Sequence, residues 1–131
     1  MSTESIIAAA NAARAAAYAP YSGFHVGAAV RGESGAIYRG CNVENAAYPE
    51  GICAEAAAIV AMVMAGERRI TEVAVAGGGD QLCTPCGGCR QKIREFAADS
   101  VPILVCGPGG LRQRFTLADL LPASFGPHNL A

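Results

Sequence analysis

Three cysteines stand at every third position of one short segment, Cys83-Thr84-Pro85-Cys86-Gly87-Gly88-Cys89, and Cys53 opens a separate run, Cys53-Ala54-Glu55, earlier in the chain. This is metal-ligand spacing, and it demands a fold that carries two distant segments to one point. Both segments fall where helices begin. Ala54 to Ala65 is a continuous run of helix formers stopped by Gly66, and Gly88 to Ala97 has an amphipathic pattern. A helix N-terminus carries about half a positive charge and unpaired N–H groups, which lowers the pKa of a nearby thiol. Two such ends can therefore hold anionic sulfur. Cys53, Cys86 and Cys89 make three ligands, the number of a zinc site that keeps its fourth tetrahedral position open, with one Zn2+ per chain. Glu55, two residues past the first ligand, is placed to move protons without ligating the metal.

Two other uses of the cysteines compete with this one. Cys83-x-x-Cys86-x-x-Cys89 also resembles the start of an iron–sulfur run, but the next cysteine, Cys106, lies inside an apolar stretch and no Cys-Pro closes the pattern. A closed structural zinc on Cys53, Cys83, Cys86 and Cys89 would leave Glu55 without a task. Taken singly, Cys53 reads as a small buried hydrophobe and Glu55 as a complement to the helix dipole. Cys41 and Cys106 read as buried strand residues.

The remaining pattern is that of one α/β domain spanning residues 1–131. Residues 5 to 17 are Ala-rich and helical. Phe24 to Arg31 and Ala36 to Val43 form an antiparallel hairpin across Gly32-Glu33-Ser34-Gly35. Thr71 to Ala76 and Pro102 to Cys106 are strands, and Thr116 caps a last helical turn. The order α-β-β-α-β-α-β-α implies a mixed sheet with parallel neighbours where helices intervene and helices on both faces, a three-layer α/β/α sandwich. A net charge of −1 gives no basic footprint for a nucleic-acid polymer. The start lacks a secretory n-region and no segment is long and apolar enough to span a bilayer, so the expected location is cytoplasmic, with no membrane partner.

At the end of the second strand, Cys41-Asn42-Val43-Glu44-Asn45 places an amide and a carboxylate on alternate positions of extended chain. Asn42 and Glu44 then point the same way and suit ribose hydroxyls, although NVEN alone also reads as a solvated turn. The Cys-x-Glu and Pro-Cys-x-x-Cys pair corresponds to the zinc deaminase signature with Cys in place of His. With PYSGFHVGAAV from Pro20, GCNVENAAY from Gly40, CAE from Cys53, TPCGGCRQ from Thr84 and LLPASFGP from Leu120, the chain resembles the homotetrameric cytidine deaminase family over nearly its whole length.

The resemblance implies a five-stranded sheet, zinc on Cys53, Cys86 and Cys89, and Glu55 as proton donor. It further implies that Asn42 and Glu44 hold the ribose, Phe24 packs on the base, and the backbone near Ala54 and Tyr48 lines the pocket. Phe125 is implied to help close the site of a neighbouring subunit in a homotetramer with shared active sites. The substrate would be a free nucleoside, converted to a uridine-type product and ammonia. Two departures stand out. Ala56 occupies a position where members often carry Arg to offset the thiolates, so the expectation is a shifted pH optimum. Tyr48-Pro49-Glu50-Gly51-Ile52 differs from the usual Gly-Leu-Thr type of segment, which points to a modified cytosine or another aminated base as an alternative substrate. A zinc-holding nucleoside-binding protein without turnover is the other alternative.

Overall fold

The computed structural model describes residues 2–131. Helix α1 (Thr3–Arg14) is followed by strands β1 (Val26–Gly32) and β2 (Ile37–Cys41), helix α2 (Ala54–Met64) and strand β3 (Ile70–Gly77). Helix α3 (Gly87–Phe96), strands β4 (Pro102–Gly107) and β5 (Gly110–Thr116) and the short helix α4 (Leu117–Leu120) complete the order. Single 3-10 turns lie at Tyr48–Glu50 and Pro127–Asn129. The strands form one sheet in the order β2-β1-β3-β4-β5.

Side-chain alternation divides the sheet into two apolar faces. Ala29, Ala74, Ala76, Leu104 and Cys106 meet Ile6 and Ala10 of α1 on one side. Val26, Ala28, Val30, Val73, Val75 and Ile103 meet Ala58, Ile59 and Met62 of α2 and Ile93 of α3 on the other. The three-layer sandwich expected from the element pattern is therefore present, with α1 alone on its face. Small residues set how closely the helices approach. A Cβ at Gly27 would sit 2.1 Å from the Ala10 carbonyl oxygen, and one at Gly40 would sit 2.4 Å from both Ala54 O and Ala58 N. The first turn of α2 thus rests directly on the β2 backbone, and the position of that turn is fixed by the sheet.

The structure corrects the element order in three respects. β5 is an additional strand, missed because Arg112, Gln113 and Arg114 interrupt its apolar positions and leave a polar edge. β1 lies between β2 and β3 and is antiparallel to both, so β3–β4 is the only parallel pair among the described strands. The hairpin strands are also shorter than expected. Val26 N donates to Asn42 Oδ1 at 2.9 Å and Asn42 Nδ2 donates to Phe24 O at 2.8 Å, so a side chain replaces the ladder where β1 begins. The last helical turn is as expected, with Thr116 and Asp119 closing a reciprocal capping box. Among the described residues, no helix is long and apolar enough to cross a membrane.

Candidate metal centre and adjoining cleft

Cys53 is the residue immediately before α2, and Cys86 the residue immediately before α3. Cys89 follows within the first turn of α3 and is buried. Their sulfurs all lie within 4.8 Å of one another, with Cys53 Sγ and Cys86 Sγ 4.0 Å apart. Sulfurs on a tetrahedral zinc, each bonded at about 2.3 Å, stand about 3.8 Å apart. The three-sulfur cluster fits that ion. Among the described residues it gathers no fourth His, Cys, Asp or Glu, which favours the open arrangement over a closed one. Cys83 lies aside, its Cβ 2.4 Å from where a Cβ on Gly77 would be. Cys106 is buried in β4, with its thiol donating to Val75 O at 3.2 Å.

The thiols differ from the expectation that both helix ends lower them. The Cys89 backbone N–H directed at Cys86 lowers that thiol. At Cys53 and at Cys89, burial dominates and pushes the thiol up. Desolvation thus opposes ionisation at Cys89 and, although its surface is exposed, at Cys53, and a bound cation would favour the thiolate form of both. Glu55, 4% exposed, sits in the first turn of α2 beside this cluster. Burial raises its carboxyl, opposed by its own backbone N–H, by a hydrogen bond from Cys89 and by the charge of Lys92. A carboxyl shifted up in this way takes up a proton more readily than an exposed one, as a proton carrier must.

Arg90 does structural work that its motif did not reveal. Its guanidinium donates to Pro85 O at 2.7 Å, Leu120 O at 2.8 Å and Thr84 Oγ1 at 3.1 Å. It thereby fastens the lead-in to Cys86 against the C-terminal segment.

A cleft of about 370 Å³ is lined by Tyr21, Ser22, Glu44, Asn45, Tyr48 and Gly51, with Gly51 two residues before Cys53 in the chain. Tyr21 and Tyr48 meet edge to face with ring centroids 6.1 Å apart. Of the residues expected to touch substrate, Glu44 and Tyr48 line this cleft. Glu44 Oε1 accepts from Tyr21 N at 2.9 Å and Ser22 N at 3.1 Å, and Oε2 accepts from the Ser22 hydroxyl. Those bonds, the Ser22 hydroxyl first, hold its carboxyl below the ordinary range. Asn42 uses its amide oxygen on Val26 N and one amide N–H on Phe24 O, which leaves its second N–H for a ligand. Both residues therefore order the 20–26 segment as well as facing it. Sequence reading missed that second role, because the partners are backbone groups remote in the chain. Phe24 is half exposed, and its ring tip lies 3.6 Å from where a Cβ on Gly77 would be. Ala54 is buried against β2. Phe125 lies outside the cluster, 57% exposed, its carbonyl accepting from Gln91 Nε2 at 2.9 Å.

Residues 1–105 match the model of the cytidine and deoxycytidylate deaminase zinc-binding region. Over all 131 residues the chain is 42% identical to the cytidine deaminase of Sporosarcina psychrophila, covering 96% of that protein. It is 36% identical to that of Halalkalibacterium halodurans, with 95% of each chain covered. Its fold is similar to the crystal structure of cytidine deaminase from Burkholderia pseudomallei, with a TM-score of 0.88 and 40% identity over 95% of this chain and 100% of that one. The Mycobacterium tuberculosis cytidine deaminase structure gives 0.81 at 37% identity over 96% and 98%.

Proposed function

The chain belongs to the cytidine and deoxycytidylate deaminase family, and from that premise we propose that it hydrolyses a free cytidine-type nucleoside to the uridine-type product and ammonia. The observation that carries the reading is the convergence of Cys53, Cys86 and Cys89 beside a buried carboxylate, Glu55. Zinc held by those sulfurs supplies Lewis-acid activation of water, bringing its pKa toward about 7.

Glu55 is the proton carrier in this account. Its carboxylate accepts a proton from the attacking water and delivers it to ring N3 as C4 becomes tetrahedral, then accepts the proton of the new C4 hydroxyl and passes it to the amine, which departs as ammonia as the C4 carbonyl forms. Burial supports the role: it raises the carboxyl and so favours its taking up a proton. Glu44 and Asn42 bind the ribose hydroxyls. About one acceptor position of the Glu44 carboxylate is left for a hydroxyl, since three of roughly four are taken by Tyr21 and Ser22. Phe24 packs against the base, and Tyr48 and the backbone at Ala54 complete the wall. A cleft of this size, in a chain of net charge −1 and with no Lys or Arg in its lining, suits a single nucleoside rather than a polymer.

We further propose that the working form is a homotetramer in which Phe125 reaches a neighbour's site. The outward face of α2 supports it: Val60 is 56% and Met64 83% exposed, one helical turn apart, beside Ala57 and Ala61. Light scattering giving a monomer at working concentration overturns that part alone.

The base preference is set by the Tyr48–Glu50 turn, where Pro49 and an exposed Glu50 stand in the chain between Tyr48 and Gly51, which line the cleft. A panel of cytidine, deoxycytidine, C5- and N4-substituted cytidines and adenosine, followed by ultraviolet absorbance, tests the whole reading. Loss of the aminated-base absorbance with cytidine or a substituted cytidine is expected. Stoichiometric zinc with an inert response to every nucleoside means a binding protein.

A further inference from the structure

One charged side chain beside the sulfur cluster has no task in the reaction as described. Lys92 is the only lysine of the chain. It stands one turn beyond Gly88 on α3, and its Nζ reaches back to 3.7 Å from where a Cβ on Gly88 would sit. Gly88 lies between Cys86 and Cys89, so the ammonium is carried to the helix end that supplies two of the three sulfurs. A helix N-terminus is itself a positive pole, which disfavours a cation folded over it unless negative charge faces both. Among the described residues Lys92 forms no ion pair, not even with Glu95 one turn further along. The negative group that its charge reaches is Glu55.

The charge count explains the need. Three thiolates around a divalent ion leave a net −1, and an ionised Glu55 adds another negative charge. α2 offers nothing against it, since the residue after Glu55 is Ala56. Arg90 is spent on the neutral acceptors Pro85, Thr84 and Leu120, and Arg112 on the carbonyls of Gly79 and Gln81. We propose that Lys92 is the charge-compensating residue of the metal centre: folded over the start of α3, its ammonium offsets the excess negative charge of Cys53, Cys86, Cys89 and Glu55 and tightens metal binding without ligating the ion.

The inference rests on the zinc reading of the site, and its test separates the two. Zinc affinity of the full chain is measured by competition with a chromophoric chelator, at low and at high salt, for the parent, Lys92→Gln, Lys92→Arg and the pair Lys92→Gln with Ala56→Arg. Because the ammonium is exposed, Lys92→Gln is expected to weaken zinc binding only about two- to fivefold at low salt, and to differ little from the parent at high salt where the interaction is screened. Lys92→Arg is expected to bind as the parent does. Ala56→Arg in the Lys92→Gln background is expected to recover the loss from the other helix. Equal affinity of parent and Lys92→Gln at low salt, with one zinc bound per chain, overturns this proposal and leaves the zinc site standing. A loss that persists at high salt and is not restored by Lys92→Arg also overturns it, since that is a packing effect. Absence of zinc from the parent overturns both.

Discussion

The metal centre and the adjoining cleft each depend on one carboxylate, and the two are shifted in opposite directions. Glu55 is buried at the start of α2, and desolvation raises its carboxyl. Glu44 is in an open cleft, and donors from Ser22 and Tyr21 hold its carboxyl low. In one site the exclusion of water favours the protonated carboxyl; in the other hydrogen bonds favour the ionised one. That division matches the work asked of each, since a proton carrier must change state and a hydroxyl acceptor must not. It also separates how each is built. The metal centre stands on helix ends seated against a sheet, whereas the cleft is walled by loops tied together through side chains.

The largest effect that can break the comparison is expected at the buried ligand. Cys89→Ala should leave a two-sulfur cluster, abolish stoichiometric zinc and remove deamination altogether, as read by metal analysis and the absorbance assay. Retention of one zinc per chain would show that the cluster is not the site.

Next in size is Gly40→Ala, which adds a methyl group where Ala54 O and Ala58 N already stand 2.4 Å away. Overpacking of this kind costs about 1–3 kcal/mol, and here the atoms that must yield are the backbone of the turn that carries Glu55. Denaturant unfolding should show that loss, with a fall in kcat and little change in KM. An unaltered kcat would mean that the seat of α2 on β2 does not position Glu55.

The smallest expected effect is in the cleft. Ser22→Ala removes the hydroxyl that contributes most to lowering Glu44. The folded-state pKa of Glu44 then rises toward its ordinary value, so the acid limb of kcat/KM should move to higher pH while kcat at neutral pH is kept. The stability that Glu44 contributes follows the same sign. A depressed carboxyl stabilises the fold above its unfolded pKa and loses that contribution as pH falls through its folded pKa, and Ser22→Ala should shrink this acid-side loss. A pH profile that overlays the parent's would remove Glu44 from the substrate site.

The two regions were also unequally legible. Cys53, Glu55, Cys86 and Cys89 could be read from the chain because short spacings at helix starts constrain geometry over a few residues, where helix periodicity is reliable. The layers followed from the apolar runs of β1, β3 and β4. β5 did not, because Arg112 and Arg114 make it read as a polar loop, and the placement of β1 between β2 and β3 depends on pairing that no local pattern encodes. In the cleft, the residue types at positions 42 and 44 were informative and their bonds were not. Asn42 meets Phe24 and Val26, and Glu44 meets Tyr21 and Ser22, groups that only the folded hairpin brings within reach. Lys92 could not be singled out in the chain because only the structure shows its side chain folding back over Gly88 at the start of α3.

The central claim, that the three-sulfur centre binds zinc and Glu55 moves the protons, is tested most directly by measuring zinc content and cytidine turnover together in the parent and in Glu55→Gln. The account predicts one zinc per chain in both proteins and a fall in kcat of about 10²- to 10⁴-fold in the variant, the range for loss of a general acid–base group. A Glu55→Gln protein that keeps its zinc and deaminates cytidine at the parent's rate would contradict it.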